Sequence, residues 1–136
     1  MRRIGRRRGA LVAGALLALL PLVASCGAPP SSVVTITIEY SRFEPSRISV
    51  PAGVPVTIHL VNLDPIDHEW IVGDAALHDR HRTGTEPVHD ERPTEVSVPA
   101  LETVTTVVTF EPGPYQVICH LPGHEAFGMV GELHAG

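Results

Sequence analysis

Cys119, His124 and Met129 stand at equal intervals on one short loop, Cys119-His120-Leu121-Pro122-Gly123-His124-Glu125-Ala126-Phe127-Gly128-Met129. A thiolate, an imidazole and a thioether therefore fall at the spacing Cys-x4-His-x4-Met. That set suits one common site, a copper ion held by one Cys and two His with a weak axial Met. A chain built this way must bring a second His to the loop from a distant segment. His68, in Asp67-His68-Glu69-Trp70, is well placed, because it follows the loop Asn62-Leu63-Asp64-Pro65-Ile66-Asp67 at the end of a strand. Its rivals are His59, which lies mid-strand, and His134, near the terminus.

The local pattern agrees with such a site. In an extended run Tyr115-Gln116-Val117-Ile118-Cys119, residues 115, 117 and 119 share a face, so Cys119 arrives at the interior edge and His120 points the other way. Pro122-Gly123 turns the chain, and Gly128 permits close backbone approach before Met129 starts a return strand. Further β segments read at 33–40, 47–50, 54–61, 69–72, 96–98 and 103–110. Turns at Glu44-Pro45, Pro51-Ala52-Gly53, Asp64-Pro65, Pro99-Ala100 and Glu111-Pro112-Gly113-Pro114 punctuate them. The expectation is an all-β, antiparallel sandwich of Greek-key type with seven to eight strands. No convincing amphipathic helix is visible. The stretch Gly73 to Pro93 has weak periodicity and many charges, and it reads as a long connection.

The first 25 residues stand apart. Met1 to Arg8 carries five arginines, Gly9 to Leu22 is almost wholly apolar, and Val23-Ala24-Ser25 leads into Cys26. A basic start, an apolar run too short to span a bilayer and a small-residue cleavage site read as an export signal. A Cys directly after it resembles a bacterial lipobox. We therefore expect a lipoprotein signal at 1–25, a lipidated Cys26 with a short Pro/Ser tether at 26–32, and one domain at 33–136. An ordinary signal with an incidental Cys is the alternative. With Cys26 acylated, Cys119 has no disulfide partner in an oxidising compartment, and a bound metal explains its presence. Loss of the signal leaves five Arg, no Lys and 15 Asp/Glu, a formal net charge of −10. That argues against nucleic acid as a partner. It permits steering toward a basic redox partner.

The chain resembles the cupredoxins, the plastocyanin-like blue copper proteins. The likeness runs from about Val33 to Leu133. Beside the ligand loop it includes Phe43-Glu44-Pro45, Ile48-Ser49-Val50-Pro51-Ala52-Gly53, Asn62 before His68, and Tyr115 to Cys119 leading into Pro122-Gly123-His124. The resemblance implies a cupredoxin-like β-sandwich with His68, Cys119, His124 and Met129 as ligands of one type 1 copper, cycling between Cu(I) and Cu(II). It also implies electron exit at the edge of His124, ringed by Leu121, Pro122 and Phe127. The step from Cys119 to His124 is longer than in plant plastocyanin and looks more like that of rusticyanin and sulfocyanin.

Two functions remain in competition. One is a monomeric electron carrier, not an enzyme, held at the outer face of the membrane by its lipid and exchanging electrons with redox partner proteins. The other is an extracytoplasmic copper-delivery protein, in which His78, His81 and His89, with Asp74, Asp79, Glu86 and Asp90, form a second metal site. The plainer view of that stretch is a solvated acidic loop whose histidines are fortuitous. A His next to the ligand Cys links two copper centres in oxidases and nitrite reductases. Without a His-x-His pair to build a second centre, His120 is expected to face solvent.

Overall fold

The computed structural model describes residues 32–86 and 91–136. In chain order the elements are β1 (Ser32–Ile38), β2 (Phe43–Glu44), β3 (Arg47–Val50), β4 (Pro55–Asn62), β5 (His68–Gly73), α1 (Ala75–Thr83), β6 (Glu95–Val98), β7 (Thr103–Thr109), β8 (Gly113–Ile118) and β9 (Val130–Ala135). They form two sheets, one ordered β2-β1-β4-β7 and the other β3-β9-β8-β5-β6.

Alternation along the strands decides which face is buried. In β4 the side chains of Val56, Ile58, Leu60 and Asn62 point inward, and those between them do not. Ile36 and Ile38 of β1 and Val108 of β7 join them from the same sheet. Trp70 and Val72 of β5, Val98 of β6, Val117 of β8 and Leu133 and Ala135 of β9 face them from the other. Each fully buried Ile or Leu contributes about 1.5–3 kcal/mol, so this layer carries most of the fold's stability.

The sandwich is not wholly antiparallel, as alternation alone suggested. β1 pairs with β4 in parallel, and so does β3 with β9. The chain leaves β1, crosses to the other sheet as β3, and returns as β4. Neighbours made by crossing between sheets can run parallel, whereas hairpin neighbours cannot.

The larger correction concerns Gly73 to Pro93. This is not a bare connection, because Ala75–Thr83 is a helix. Asp74 caps its start, its side chain accepting the Leu77 N–H at 2.8 Å. Gly84, at φ 67°, ends it by donating its N–H to the carbonyls of Arg80 and His81. The helix lies on the outer face of the β5–β8 sheet, where Leu77 packs against Gly73 so closely that a Cβ there would stand 2.6 Å from Leu77 Cδ2. Charge ties the described residues on either side of 87–90 together, with Arg80 and Arg92 donating to buried Glu86 at 2.8 and 3.2 Å and Arg92 to buried Glu95 at 2.6 Å. Among the described residues no helix is long and apolar enough to cross a membrane. Cys26, the export signal and the tether up to Ser31, as well as His89 and Asp90, lie outside the described residues.

Candidate metal centre

The β4–β5 connection delivers His68. Buried Asn62 ends β4 and folds the loop about itself, its Nδ2 donating to the carbonyls of Ile66, Val98 and Pro99 at 2.8, 3.2 and 3.0 Å. Its Oδ1 accepts the N–H of Asp64 at 3.0 Å. His68 then opens β5 opposite Val98, with its side chain fully buried. His68 Nε2 lies 2.9 Å from Asp64 Oδ2. A carboxylate there accepts, so Nε2 carries the proton and Nδ1 presents a lone pair to the interior.

Cys119 follows β8 on its inward face and is fully buried within the core cluster. The Glu69 N–H donates to its Sγ at 3.3 Å. Burial pushes the thiol above its ordinary pKa, although the N–H groups of Glu69 and Leu121 pull the other way. The thiol is therefore protonated at neutral pH until a cation displaces the proton.

Beyond Cys119 the chain winds through tight turns. His124 N–H donates to Leu121 O at 3.0 Å, Phe127 N–H to Gly123 O at 3.0 Å, and Gly128 N–H to Glu125 O at 2.9 Å. Gly123 and Gly128 have φ of 88° and 93°, where side chains are disfavoured. Met129 is buried and bridges the loop ends, its N–H donating to His124 O at 3.0 Å and its carbonyl accepting the Cys119 N–H at 3.3 Å.

The three donors converge. His68 Nδ1 is 3.2 Å from His124 Nδ1, and Cys119 Sγ is 3.3 Å from the same nitrogen. One ligand atom from each residue lies within 4.8 Å of the others, and this is the one such set found among the described residues. Two metal–imidazole bonds of roughly 2.0–2.1 Å at near-tetrahedral angles place their nitrogens about 3.3 Å apart, which is the spacing seen. Two imidazoles, a thiolate and the thioether of Met129, a buried residue joined through its backbone to both His124 and Cys119, make up the donor set of a type 1 copper site. Burial holds His124 below its ordinary pKa, and the adjoining His68 ring disfavours a second positive charge there, so the His124 ring stays free for a cation.

The rival histidines are elsewhere. His59 bonds Thr105 Oγ1 at 2.8 Å on the outer face of the other sheet, and His134 is exposed on β9.

His120 contradicts the expectation of a solvent-facing ring. It points to the outer face of its sheet, as alternation requires, but α1 covers that face and leaves the side chain 8% exposed. His78 is fully buried and sits between His120 Nε2 at 2.9 Å and the Gln116 carbonyl at 3.2 Å. The carbonyl only accepts, so His78 Nε2 donates to it, and His78 Nδ1 accepts from His120 Nε2–H. The His81 ring stacks on His120 with centroids 5.1 Å apart, while its Nδ1 donates to Leu77 O at 3.0 Å. Burial and then the neighbouring His78 and His81 push His120 down to about 4. Arg82 adds a clamp, donating to both carboxylate oxygens of Glu125 at 2.6–3.1 Å. His78 and His81 thus turn inward to brace the ligand loop from behind.

Sequence reasoning missed Asp64, His78 and Arg82 as groups that support the site. Asp74 and Gly84 were the available signals for the helix that carries two of them.

Two stacked β-sheets with Cys, His and Met on the loop before the last strand, and a further His entering from β5, define a cupredoxin. The chain belongs to the family described as the cupredoxin-like domain, which it matches over residues 10–130. It is 29% identical over 106 residues to the copper-resistant cuproprotein CopI of Rubrivivax gelatinosus, covering 75% of this chain. The matched region spans 64% of that relative's length. Auracyanin B superposes with a TM-score of 0.65 at 23% identity over 81% of this chain and 92% of its own. Auracyanin A, a blue copper protein of Chloroflexus aurantiacus, gives 0.63 at 22% over 79% of this chain and all of its own, 100%.

Proposed function

We propose that this chain is a blue copper protein that carries single electrons at the cell envelope, with His68, Cys119, His124 and Met129 holding one type 1 copper. The convergence of three donor atoms within 4.8 Å beside buried Met129 carries the reading. Copper bound there supplies one-electron chemistry between Cu(I) and Cu(II).

The chain's own residues do the rest. Asp64 keeps His68 in the ligating tautomer. The Glu69 N–H steadies the thiolate. The loop hydrogen bonds and the α1 clamp hold the donors in place, so little needs to move when the charge changes. His68, Cys119 and Met129 are sealed from water, whereas His124 is only half-buried and reaches toward the surface. Phe127, at 75% exposure, and exposed Pro122 on the same loop offer apolar contact for a redox partner. No general acid, base or bound substrate is required, so the protein acts as a carrier rather than an enzyme. We also propose that it works as a monomer without nucleic acid, and that Cys26 carries a lipid anchoring it outside the cytoplasm.

Copper delivery is the second reading, favoured by the likeness to a copper-resistance cuproprotein. A carrier binds one copper per chain and survives repeated reduction and oxidation with its colour intact. A delivery protein surrenders its copper to a competing acceptor at each reduction, and could hold more than one ion. Metal counting through several redox cycles in the presence of a Cu(I) chelator separates the two. Loss of membrane association in a Cys26→Ser variant tests the anchor.

A further inference from the structure

Three residues other than glycine adopt positive φ among the described residues: Tyr40 at 54°, Ser41 at 55° and Leu101 at 60°. All three donate their backbone N–H to one residue. Tyr40 N–H reaches Asp64 Oδ1 at 2.7 Å, Ser41 N–H reaches Asp64 Oδ2 at 2.7 Å, and Leu101 N–H reaches the Asp64 carbonyl at 3.1 Å. Left-handed backbone is disfavoured for side-chain-bearing residues, and it persists where surrounding structure imposes it.

Tyr40 and Ser41 are the central pair of a two-residue hairpin, closed by reciprocal Glu39–Arg42 backbone bonds of 3.2 Å each. Positive φ at both central positions ordinarily selects Asn-Gly. Tyr-Ser is a poor choice for the turn itself. The conformation makes sense because it aims two consecutive N–H groups at one carboxylate.

Asp64 is itself 7% exposed and anchored through its own N–H to Asn62 Oδ1 at 3.0 Å. The same Oδ2 that takes the Ser41 N–H accepts from His68 Nε2 at 2.9 Å. Four donors from three loops therefore meet on Asp64, and one of them is the far edge of a ligand ring.

Resting on the type 1 copper reading, we propose that Asp64 is a positioning residue that locks His68 into its Nδ1-ligating tautomer and biases the site toward the oxidised metal. A full negative charge one hydrogen bond behind the ligand makes the imidazole more basic and favours the more positive metal state. The strained backbone at Tyr40, Ser41 and Leu101 is what fixes that charge in place.

Nitrogen NMR of the full-length, metal-free protein tests the positioning directly and without copper. His68 should be the Nε2–H tautomer. An Nδ1–H ring overturns the proposal even if the protein later proves to bind copper. Competition titrations with Cu(II) and Cu(I) then compare wild type with Asp64→Asn and Asp64→Glu. Asp64→Asn should weaken Cu(II) binding about 10- to 100-fold and Cu(I) binding much less, so the reduction potential rises. Asp64→Glu should restore part of the Cu(II) preference by restoring the charge. Equal losses for the two ions, or an unchanged potential in a folded Asp64→Asn, overturn the proposed bias and leave Asp64 a loop anchor only. If wild type takes up no copper, the copper reading and the bias fail together, while the tautomer result still stands or falls by itself.

Discussion

His120 Nε2 donates to His78 Nδ1 across 2.9 Å, one residue along the chain from Cys119. One histidine comes from the ligand loop and the other from α1, so a buried imidazole pair joins the helix to the metal end of the sandwich. Each ring nitrogen of His78 has a partner, which is what allows so polar a residue to be fully buried. His78→Leu should strand the His120 N–H and the Gln116 carbonyl, destabilising the metal-free protein by about 2–4 kcal/mol. Urea denaturation measures this. The visible spectrum of the copper form should change little, because no ligand is altered.

The same cluster makes stability depend on pH. The folded state keeps His120 neutral down to about pH 4, whereas the unfolded chain protonates an ordinary histidine near 6.5. Protons therefore favour the unfolded chain between those values. Stability from this group is complete above pH 6.5 and falls as pH drops toward 4, by on the order of 3 kcal/mol for a shift of this size. His78 is shifted in the same direction, first by its burial, and adds to the fall. Denaturation midpoints of wild type and His120→Asn across that range should diverge above pH 6 and converge near pH 4.

Ser41 holds φ 55° in a tight turn, a conformation glycine adopts without penalty. Ser41→Gly keeps the N–H that meets Asp64 and removes the steric strain. After allowance for the added freedom of the unfolded chain, it should stabilise the protein by roughly 0.5–1 kcal/mol. A destabilised variant would show that the Ser41 side chain matters in itself.

Met129 is buried against the ligand loop and its thioether is a weak donor. Met129→Leu should leave copper bound and raise the reduction potential, because a donor that favours Cu(II) is lost. Voltammetry on the copper form reads the change.

What the residues disclosed unaided follows from how local each signal is. Cys119, His124 and Met129 announced themselves because their donor chemistry and loop spacing lie within eleven consecutive residues. The strands were legible from alternation, as in Val56-Thr57-Ile58-His59-Leu60. The outward turn of His120 was legible too, but not its surroundings, because α1 is polar and His78 is its one fully buried residue. An apolar stripe is what reveals a packed helix, and this helix docks through imidazole and guanidinium instead. The contacts of Asp64 were beyond reach, since they depend on backbone conformations at residues 23 and 24 positions away. Parallel pairing of β1 with β4 was hidden for the same reason, being set by the crossing between sheets.

Titration of metal-free protein with Cu(II), followed by visible absorption and EPR, tests the central claim most directly. The account predicts an intense thiolate-to-copper band that saturates at one copper per chain, with a narrow hyperfine splitting, and that is abolished in Cys119→Ser. A colourless complex, or an intense band that survives in Cys119→Ser, would contradict it.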